Sequence, residues 1–280
     1  MPYPKLSIIT PVYNGERFME FCIKNVIEQN CSEAEHIIID GASTDKTVGI
    51  IKDYAKRYPH IRWISKKDKG QSDAMNKGIA MVRGKIIGIL MVDDFYEPGV
   101  LNRVLEIFKT LPEPSFLVGN CNVWDNEGNH MHVTKPKKLN LIDMLAGNCL
   151  PNPTAYFYHT SLHQKIGPYK TDLYYTMCFD FELRAIQMAN AKYIDEVWGN
   201  FRLLKGTKSF ELSEKGQEIS FRKPFIDTYK KNFSFLERLE LAIKQLEFII
   251  KRILYKILLK LYGRGLSSSG KKDTQRAKYS

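Results

Sequence analysis

The chain has 280 residues, of which 44% are hydrophobic, and carries a formal net charge of +11. This composition is ordinary for a globular protein, and the length suits one domain with an appendage or two small domains. Five scattered cysteines, odd in number and without a metal-binding spacing, indicate free thiols in a reducing compartment. No segment is typical of a signal peptide or a membrane-spanning helix, so we expect a cytoplasmic protein whose charge favours an anionic partner.

Apolar strand patterns alternate with helical spacing over the first 110 residues. We predict strands at 6–9, 36–40, 61–65 and 86–92, and helices at 16–29, 47–58, 74–82 and 100–110. This alternation predicts an α/β fold in which helices cover both faces of a mostly parallel sheet. Right-handed crossovers would place the carboxyl ends of these strands at one edge.

Polar residues follow each predicted strand, so they should meet at that edge. Tyr13 follows the first strand, Asp40 ends the second, and a charged loop around Lys69 follows the third. Asp93 and Asp94 follow the fourth strand, which is an apolar run. In open parallel sheets, ligands bind outside the carboxyl ends of the strands. We therefore expect these residues to line a single cleft.

The paired carboxylates Asp93 and Asp94 predict a site for a hard divalent cation that bridges protein to diphosphate. The alternative is an acidic turn that only caps the helix at 100–110. The chain has neither a Gly-x-Gly-x-x-Gly motif after its first strand nor a Gly-Lys-Ser/Thr phosphate loop, which argues against a dinucleotide dehydrogenase and an NTPase.

Four sequence blocks carry a resemblance to a known family. They are Leu-Ser-Ile-Ile-Thr-Pro-Val-Tyr-Asn-Gly at 6–15, Ile-Ile-Ile-Asp-Gly-Ala-Ser-Thr-Asp-Lys-Thr at 37–47, Asp-Lys-Gly-Gln-Ser-Asp-Ala-Met-Asn-Lys-Gly at 68–78 and Val-Asp-Asp at 92–94. In this order and spacing they resemble glycosyltransferase family 2 over residues 5–209. The resemblance implies a GT-A fold and inverting transfer from a nucleotide-sugar donor, with UDP as the default nucleotide, assisted by Mn²⁺ or Mg²⁺.

The resemblance also implies roles for individual residues. Asp94 would be the direct metal ligand, and Asp93 would contact the metal or the ribose or sugar of the donor. The remaining donor-site residues would be Thr10, Pro11, Tyr13, Asp40, Lys69 and Asp73, with Asp40 facing the base.

The second half of the domain should supply a general base for the acceptor hydroxyl. Relatives commonly have Asp-Tyr-Asp at the start of the helix predicted here for 176–189, with the first acid as the expected base. This chain has Cys178 at that position and keeps Asp180. Asp180 or Glu182 then takes the role, or the enzyme is altered or inactive. Arg202, Lys205 and Lys208 could reach a diphosphate or form a basic solvated loop.

The C-terminal part forms one long helical pattern over 233–262. A seam of apolar residues at 3-4 spacing is compatible with a homodimer or with docking on the protein body, whereas its basic polar face is typical of a helix on a membrane surface. We expect a glycosyltransferase domain at 1–210 (halves 1–115 and 116–210), a helical segment at 211–265 and a disordered basic tail at 266–280.

The sequence thus predicts transfer of a sugar to a glycan or lipid-linked acceptor in polysaccharide or cell-surface glycan synthesis, by an enzyme peripheral to the inner face of the membrane. Nucleic acid is not an expected partner, because the basic residues lie on an apolar-backed helix. The alternatives are a non-catalytic sugar- or nucleotide-binding relative and a nucleotidyltransferase.

Overall fold

A computed structural model describes residues 3–136, 138–148, 150–215 and 218–262. Within these residues, nine strands form one mixed sheet: β1 Leu6–Val12, β2 Ala34–Asp40, β3 Ile61–Ser65, β4 Ile86–Ile89, β5 Phe95–Tyr96, β6 Ser115–Trp124, β7 His130–Thr134, β8 Tyr156–His159 and β9 Asn190–Arg202. The helices are α1 Glu16–Glu28, α2 Thr47–Arg57, α3 Gln71–Ile79, α4 Val100–Phe108, α5 Leu141–Leu145, α6 Leu162–Ile166, α7 Met177–Met188, α8 Lys208–Lys215, α9 Glu218–Lys230 and α10 Phe235–Tyr262.

The strand order explains how the site is assembled. The sheet runs β3-β2-β1-β4-β8-β6-β9-β5, and β7 pairs with β6. Strands β3, β2, β1 and β4 are mutually parallel. Their register places Val12 beside Asp40 and Asp40 beside Ser65. Three strands therefore end level with one another, and the loops that follow them share one edge.

Helices cover both faces of the sheet, and each face has its own apolar core. One core packs α1, α2 and α4 against the sheet through residues such as Ile23, Ile51 and Leu101. The other packs α3, α5, α6 and α7 through residues such as Met75, Met144 and Phe181. Strands β1 and β2 are buried along their whole length, as a parallel sheet covered on both faces requires. The predicted α/β class is confirmed.

The boundaries of two elements next to the site differ from the prediction. Helix α3 begins at Gln71, three residues before the predicted start, because Gly70 takes a positive φ of 115° and the Asp73 carboxylate accepts the Lys69 backbone N–H at 3.0 Å. Strand β4 ends at Ile89 rather than at residue 92, because the chain turns there and the Asp94 N–H donates to the Met91 carbonyl. Asp93 and Asp94 consequently lie in a turn.

Strand β5 was not predicted, and α8 and α9 were predicted only as parts of a helical segment at 211–265. Strand β5 pairs with β9 and has only two residues. Two residues are too few to show the alternation of apolar and polar residues that identifies a strand in a sequence. Helices α8 and α9 follow the basic loop, and α9 contains Pro224, which weakens its helical signature. Phe225, Ile226 and Tyr229 of α9 nevertheless pack against the α7 side of the core.

Helix α10 docks on the body through one face. Leu241 is buried, Lys244 pairs with Asp143 of α5 at 2.9 Å, and the Phe248 ring packs against Gly147. The seam predicted from 3-4 spacing lies on the opposite face and is exposed. No helix among the described residues combines the length and apolar composition needed to cross a bilayer. The predicted tail at 266–280 lies outside the described residues.

Candidate functional site

The loops after β1 and β2 are tied together at the carboxyl edge of the sheet. The Asn14 side-chain Oδ1 accepts the Thr44 N–H at 2.9 Å, and the Asn14 N–H donates to Ser43 Oγ at 2.7 Å. Asn14 and Ala42 both have positive φ, of 49° and 67°, so both loops turn sharply at this point. A Cβ placed on Gly41 would lie 2.6 Å from Asp68 Oδ2 and 3.5 Å from the Tyr13 Cβ. Loops after three strands thus meet, as the alternation of elements predicted.

Asp40 is fully buried and closes the turn that follows β2. Its Oδ2 accepts the Ser65 hydroxyl at 2.6 Å and the N–H groups of Ala42 and Ser43 at 3.1 Å each. These bonds join the carboxylate to the turn after β2 and to the last residue of β3. Asp40 therefore fixes the shape of this turn.

The three predicted donor-site residues of β1 and its loop have different environments. The Thr10 hydroxyl is buried and lies 2.9 Å from His36 Nε2, so its side chain is engaged within the sheet core. Pro11 is also buried. Tyr13 is 64% exposed at the edge. Of the three, Tyr13 offers an open aromatic face to a ligand.

Asp93 and Asp94 lie side by side in the turn after β4. Asp94 is 1% exposed; its Oδ1 accepts the Arg202 backbone N–H at 3.0 Å, whereas its Oδ2 has no hydrogen-bond partner. Burial, and then the neighbouring charge of Asp93, raise the pKa of Asp94 well above its usual value. Burial also raises the pKa of Asp93. A buried carboxylate oxygen without a partner is costly unless a cation or a proton meets it.

This donor set fits a divalent cation held jointly with a ligand. Carboxylate oxygens suit Mg²⁺ and Mn²⁺, and Mg²⁺ is commonly bound through one or two carboxylates plus substrate phosphates. Among the described residues, no three His, Cys, Asp or Glu side chains converge as a complete metal site. Asp94 and Asp93 could hold such a cation, with the remaining ligands supplied by diphosphate and water.

Arg202 carries a positive charge that acts on both carboxylates. It ends β9, and its guanidinium lies 4.6 Å from the Phe21 ring centre and 5.0 Å from that of Phe95. Burial lowers the pKa of Arg202, and the charges of Asp94 and Asp93 oppose that shift. The aromatic rings hold the guanidinium in place, so a fixed positive charge faces the paired acids.

A small recess next to the edge contains both Lys69 and Lys208, together with Gly70, Tyr174 and Met177. The Lys208 Nζ lies 3.6 Å from the centre of the Tyr174 ring. Burial lowers the pKa of Lys208, and the charge of Asp68 acts in the opposite direction. Asp73 caps α3 and pairs with Lys77 at 3.1 Å. Lys69 and Lys208, two of the predicted residues, therefore form part of a basic recess. Lys205 does not line this recess, and its backbone N–H donates to Asn126 Oδ1.

Asp180 is buried on α7 and held by two cations. Its Oδ1 lies 2.7 Å from Lys170 Nζ, and its Oδ2 lies 2.6 Å from the Arg184 guanidinium. Arg184 also donates to the Ile166 and Pro168 carbonyls. Both carboxylate oxygens therefore serve an ion-pair network that joins α7 to the segment after α6.

Glu182 is also buried but has a different environment. Burial raises its pKa to about 8, and the Arg222 charge partly opposes the shift. It lies one turn after Cys178, and its charge raises the pKa values of Cys178 and Tyr156. Burial is the main cause that raises the pKa of Cys178 to about 12, so this thiol is protonated at neutral pH.

Sequence reasoning missed two parts of the site. Asn152, just before a short 3₁₀ helix at Pro153–Ala155, faces Asp94 and favours its charged form. A cleft of about 500 Å³ lies between α7 and α9 and is lined by aromatic residues including Tyr174, Phe221 and Tyr229. It shares Leu173 and Tyr174 with the basic recess. Neither part has a short motif, since both depend on chain segments that are distant in sequence.

Solved structures of low sequence identity share this fold. S. aureus TarS 1–349 in complex with UDP-GlcNAc matches with a TM-score of 0.62 and 17% identity, over 88% of this chain and 71% of that one. The mannosyltransferase PcManGT from Pyrobaculum calidifontis, in complex with GDP-Man and Mn²⁺, matches with a TM-score of 0.61 and 16% identity, over 87% of this chain and 69% of that one. The predicted GT-A fold is thereby confirmed.

Sequence relatives include the chondroitin synthase of Escherichia coli, 35% identical over 127 residues, which are 45% of this chain and 18% of that protein. The uncharacterized glycosyltransferase EpsJ of Bacillus subtilis is 39% identical over 103 residues, 37% of this chain and 30% of that protein. The chain thus matches less than a third of the length of these two. The uncharacterized glycosyltransferase RT0329 of Rickettsia typhi is 25% identical over 93% of this chain and 92% of its own length.

The family model for glycosyl transferase family 2 matches residues 7–166. These residues include β1 to β4, the tied loops, the paired carboxylates and Asn152. Because this match covers more than half of the chain, the protein belongs to glycosyl transferase family 2.

Proposed function

We propose that this protein is an inverting glycosyltransferase that moves a sugar from a nucleotide-sugar, with UDP as the first nucleotide to test, to a glycan or lipid-linked acceptor. The observation that carries the proposal is the buried, unpartnered Asp94 Oδ2 beside Asp93 and Arg202 at the edge where three loops meet. That arrangement suits a metal-bound diphosphate. Family membership supports it, as do the nucleotide-sugars bound by TarS and PcManGT.

On the donor side, Asp94 and Asp93 would hold the cation, which when bound compensates the negative charge on the leaving diphosphate. Tyr13 would stack on the nucleoside, and Asp40 would act by keeping the adjoining turn closed. Arg202, Lys69 and Lys208 would add positive charge around the phosphates.

On the acceptor side, Glu182 is better matched to the role of general base by its pKa, whereas Asp180, and not Glu182, lines the aromatic cleft between α7 and α9. Both oxygens of Asp180 are engaged in ion pairs, whereas a carboxyl with a pKa of about 8 is well matched to accept a proton near neutral pH. The acceptor hydroxyl would give its proton to Glu182 as its oxygen attacks the anomeric carbon. The bond from that carbon to the phosphate oxygen breaks, and the nucleoside diphosphate leaves with the electron pair.

The aromatic cleft between α7 and α9 is the proposed acceptor site. It adjoins the recess that contains Lys69 and Lys208 through the shared residues Leu173 and Tyr174. Aromatic faces with flanking charges suit the apolar faces and hydroxyls of sugar rings. An acceptor bound there would lie next to the donor loops.

The test is to incubate the protein with UDP-, GDP- and dTDP-sugars and Mn²⁺ and to identify the products. Release of a nucleoside diphosphate and of a sugar with inverted anomeric configuration supports the proposal, and Asp94→Asn should abolish it. Release of a sugar 1-phosphate, with the nucleoside monophosphate transferred, would indicate a nucleotidyltransferase instead. Retained configuration would contradict single displacement.

A non-catalytic binding relative is the second candidate, and Cys178 is the observation that favours it. A protonated thiol occupies the position at which relatives commonly have an acid. Nucleotide-sugar binding with no turnover of any donor, in the presence of Mn²⁺ and simple sugar acceptors, would support this candidate.

A further inference from the structure

The exposed face of α10 forms a continuous apolar row. Its members are between 47% and 78% exposed: Phe235, Leu236, Leu239, Ile243, Leu246, Ile249, Ile250, Ile253 and Leu254. Because they recur at helical spacing, they project on the side of the helix opposite Leu241 and Phe248, which dock on the body. A row this long is rare on a surface that meets only water, and it indicates an interaction site.

The charge of the chain is concentrated where this row ends. Residues 251–280 contain nine Lys and Arg and one Asp, which is +8 of the net +11. The preceding 250 residues are therefore close to balanced. Within α10 itself, residues 251–262 contain four cations and no acid. An apolar row followed by a strongly cationic segment is complementary to a surface in which an anionic layer covers an apolar interior.

We propose that α10 lies flat on an anionic lipid surface, with the apolar row inserted among the acyl chains and with the net positive charge of the sequence from residue 251 onward favouring anionic headgroups. A basic amphipathic helix of 20 to 30 residues is a length and composition typical of interfacial binding. Each cation near an anionic surface contributes about 1 kcal/mol. The opposite face remains docked through Lys244 and Asp143, so the helix holds the catalytic domain at the surface.

A second copy of the chain fits this row less well. Parallel pairing through the row would bring two segments of charge +8 together, which costs free energy. Coiled-coil seams are commonly flanked by charges of both signs, whereas 251–262 offers cations alone. Charge complementarity therefore favours the lipid surface.

The experiment is sedimentation of the full chain with vesicles of phosphatidylcholine alone, or of phosphatidylcholine with 30 mol% phosphatidylglycerol. We expect binding to the anionic vesicles and little binding to the neutral ones. Leu246→Glu should weaken binding by about tenfold or more, because an inserted Leu side chain contributes roughly 1.5–3 kcal/mol. Met131→Glu, at an exposed apolar residue on β7, is the matched control and should bind like the wild type.

The contribution of charge to lipid binding is tested with a double variant, Lys251→Glu and Lys256→Glu. Its control is a second double variant, Lys52→Glu and Lys56→Glu on α2. The first pair should lose at least about tenfold in affinity, and the second pair, of the same charge change, much less. Circular dichroism and the thermal unfolding transition show that each variant is folded.

Absence of binding to anionic vesicles overturns the proposal, as does equal binding by Leu246→Glu. A wild-type dimer that Leu246→Glu converts to a monomer, without lipid binding, would assign the row to a second copy. These outcomes do not depend on glycosyl transfer, so they are separate from the proposed function.

Discussion

Asp180 and Glu182 lie two positions apart on α7, yet their surroundings give them different properties. Asp180 is paired with Lys170 and Arg184, whereas burial raises the pKa of Glu182 to about 8. The sequence alone made Asp180 the more attractive base, since it matches an acid of the family pattern. Only the packing of α7 shows this difference, because the ion pairs of Asp180 with Lys170 and Arg184 and the burial of Glu182 depend on the three-dimensional arrangement of the chain.

Replacing Asp180 with Asn should lower the free energy of unfolding by about 2 kcal/mol, because it leaves the mostly buried Arg184 without its counter-charge. Thermal or urea unfolding measures the change. Asp53→Asn, which alters an exposed ion pair on α2, is the control and should stay within about 0.5 kcal/mol of the wild type. Unchanged stability with abolished transfer would instead give Asp180 the catalytic role.

Replacing Glu182 with Gln should abolish transfer at every pH, whereas the wild-type rate should rise as the pH increases through about 8, because the base must be deprotonated. The raised pKa of Glu182 also affects the free energy of unfolding. Between the usual value of 4.5 and about 8, the unfolded chain loses this proton and the folded chain keeps it. The wild type should therefore lose stability relative to the Gln variant as the pH rises across this window, by about 1.4 kcal/mol per unit.

Rate profiles between pH 6 and 9.5 and urea titrations at pH 5, 6.5 and 8 provide both readouts for Glu182→Gln. A variant with wild-type activity and wild-type pH dependence would remove Glu182 from the proposed chemistry. A stability difference without an activity difference would leave it as a buried structural acid.

At the scale of elements, the parallel half of the sheet was predictable and the boundaries at the site were not. Apolar runs such as 37–39 define buried strands, and 3.6-residue periodicity defines α1, α2 and α4. The end of β4 and the start of α3 depend on single bonds made by Asp94 and Asp73, which carry no periodic signal. Strand β5 exists because β9 pairs with it.

The two loops at the edge should act as one unit through Asn14. Asn14→Ala removes the bond to Thr44 and strains a backbone with φ of +49°, whereas Asn14→Gly removes only the bond. We expect nucleotide affinity to fall about tenfold or more in the Ala variant and less in the Gly variant. Titration with UDP and Mn²⁺ compares them. Equal affinities in all three proteins would show that the tie between the loops does not shape the donor site.

At the scale of the whole molecule, a histidine in the middle of the sheet should set the acid limit of stability. His36 is fully buried beside Thr10, and burial lowers its pKa to about 3. As the pH falls from 6.5 towards 3, the unfolded chain gains a proton on this ring and the folded chain does not. Stability should therefore fall by about 1.4 kcal/mol per unit in this window.

Urea unfolding between pH 7 and 4.5 tests the role of His36. His36→Gln should make the acid dependence less steep, whatever its stability at pH 7, although His159 and His163, whose pKa values burial also lowers, still contribute. The exposed His130→Gln on β7 should keep the wild-type slope. An unchanged slope in His36→Gln would place the acid sensitivity elsewhere in the protein.

The sequence motifs predicted some features of the whole molecule and not others. The family blocks at 6–15, 37–47, 68–78 and 92–94 predicted the fold and the location of the donor edge. They did not predict the surroundings of Asp94, because Arg202, which bonds its Oδ1, and Asn152, which lowers its pKa, come from segments 108 and 58 residues away along the chain. Helix α10 was predicted from its periodicity, but which of its faces docks could be decided only by Leu241 and Phe248 against the body.

The most direct test of the central claim is calorimetric titration of UDP into the wild type and into Asp94→Asn, each with and without Mn²⁺. The account predicts that the wild type binds UDP in a metal-dependent manner and that Asp94→Asn, shown to be folded by its thermal transition, loses the metal-dependent part. GDP and dTDP are titrated in the same way if UDP does not bind. Binding that is equal with and without Mn²⁺, or metal-dependent binding retained in Asp94→Asn, would contradict a donor site built on these carboxylates.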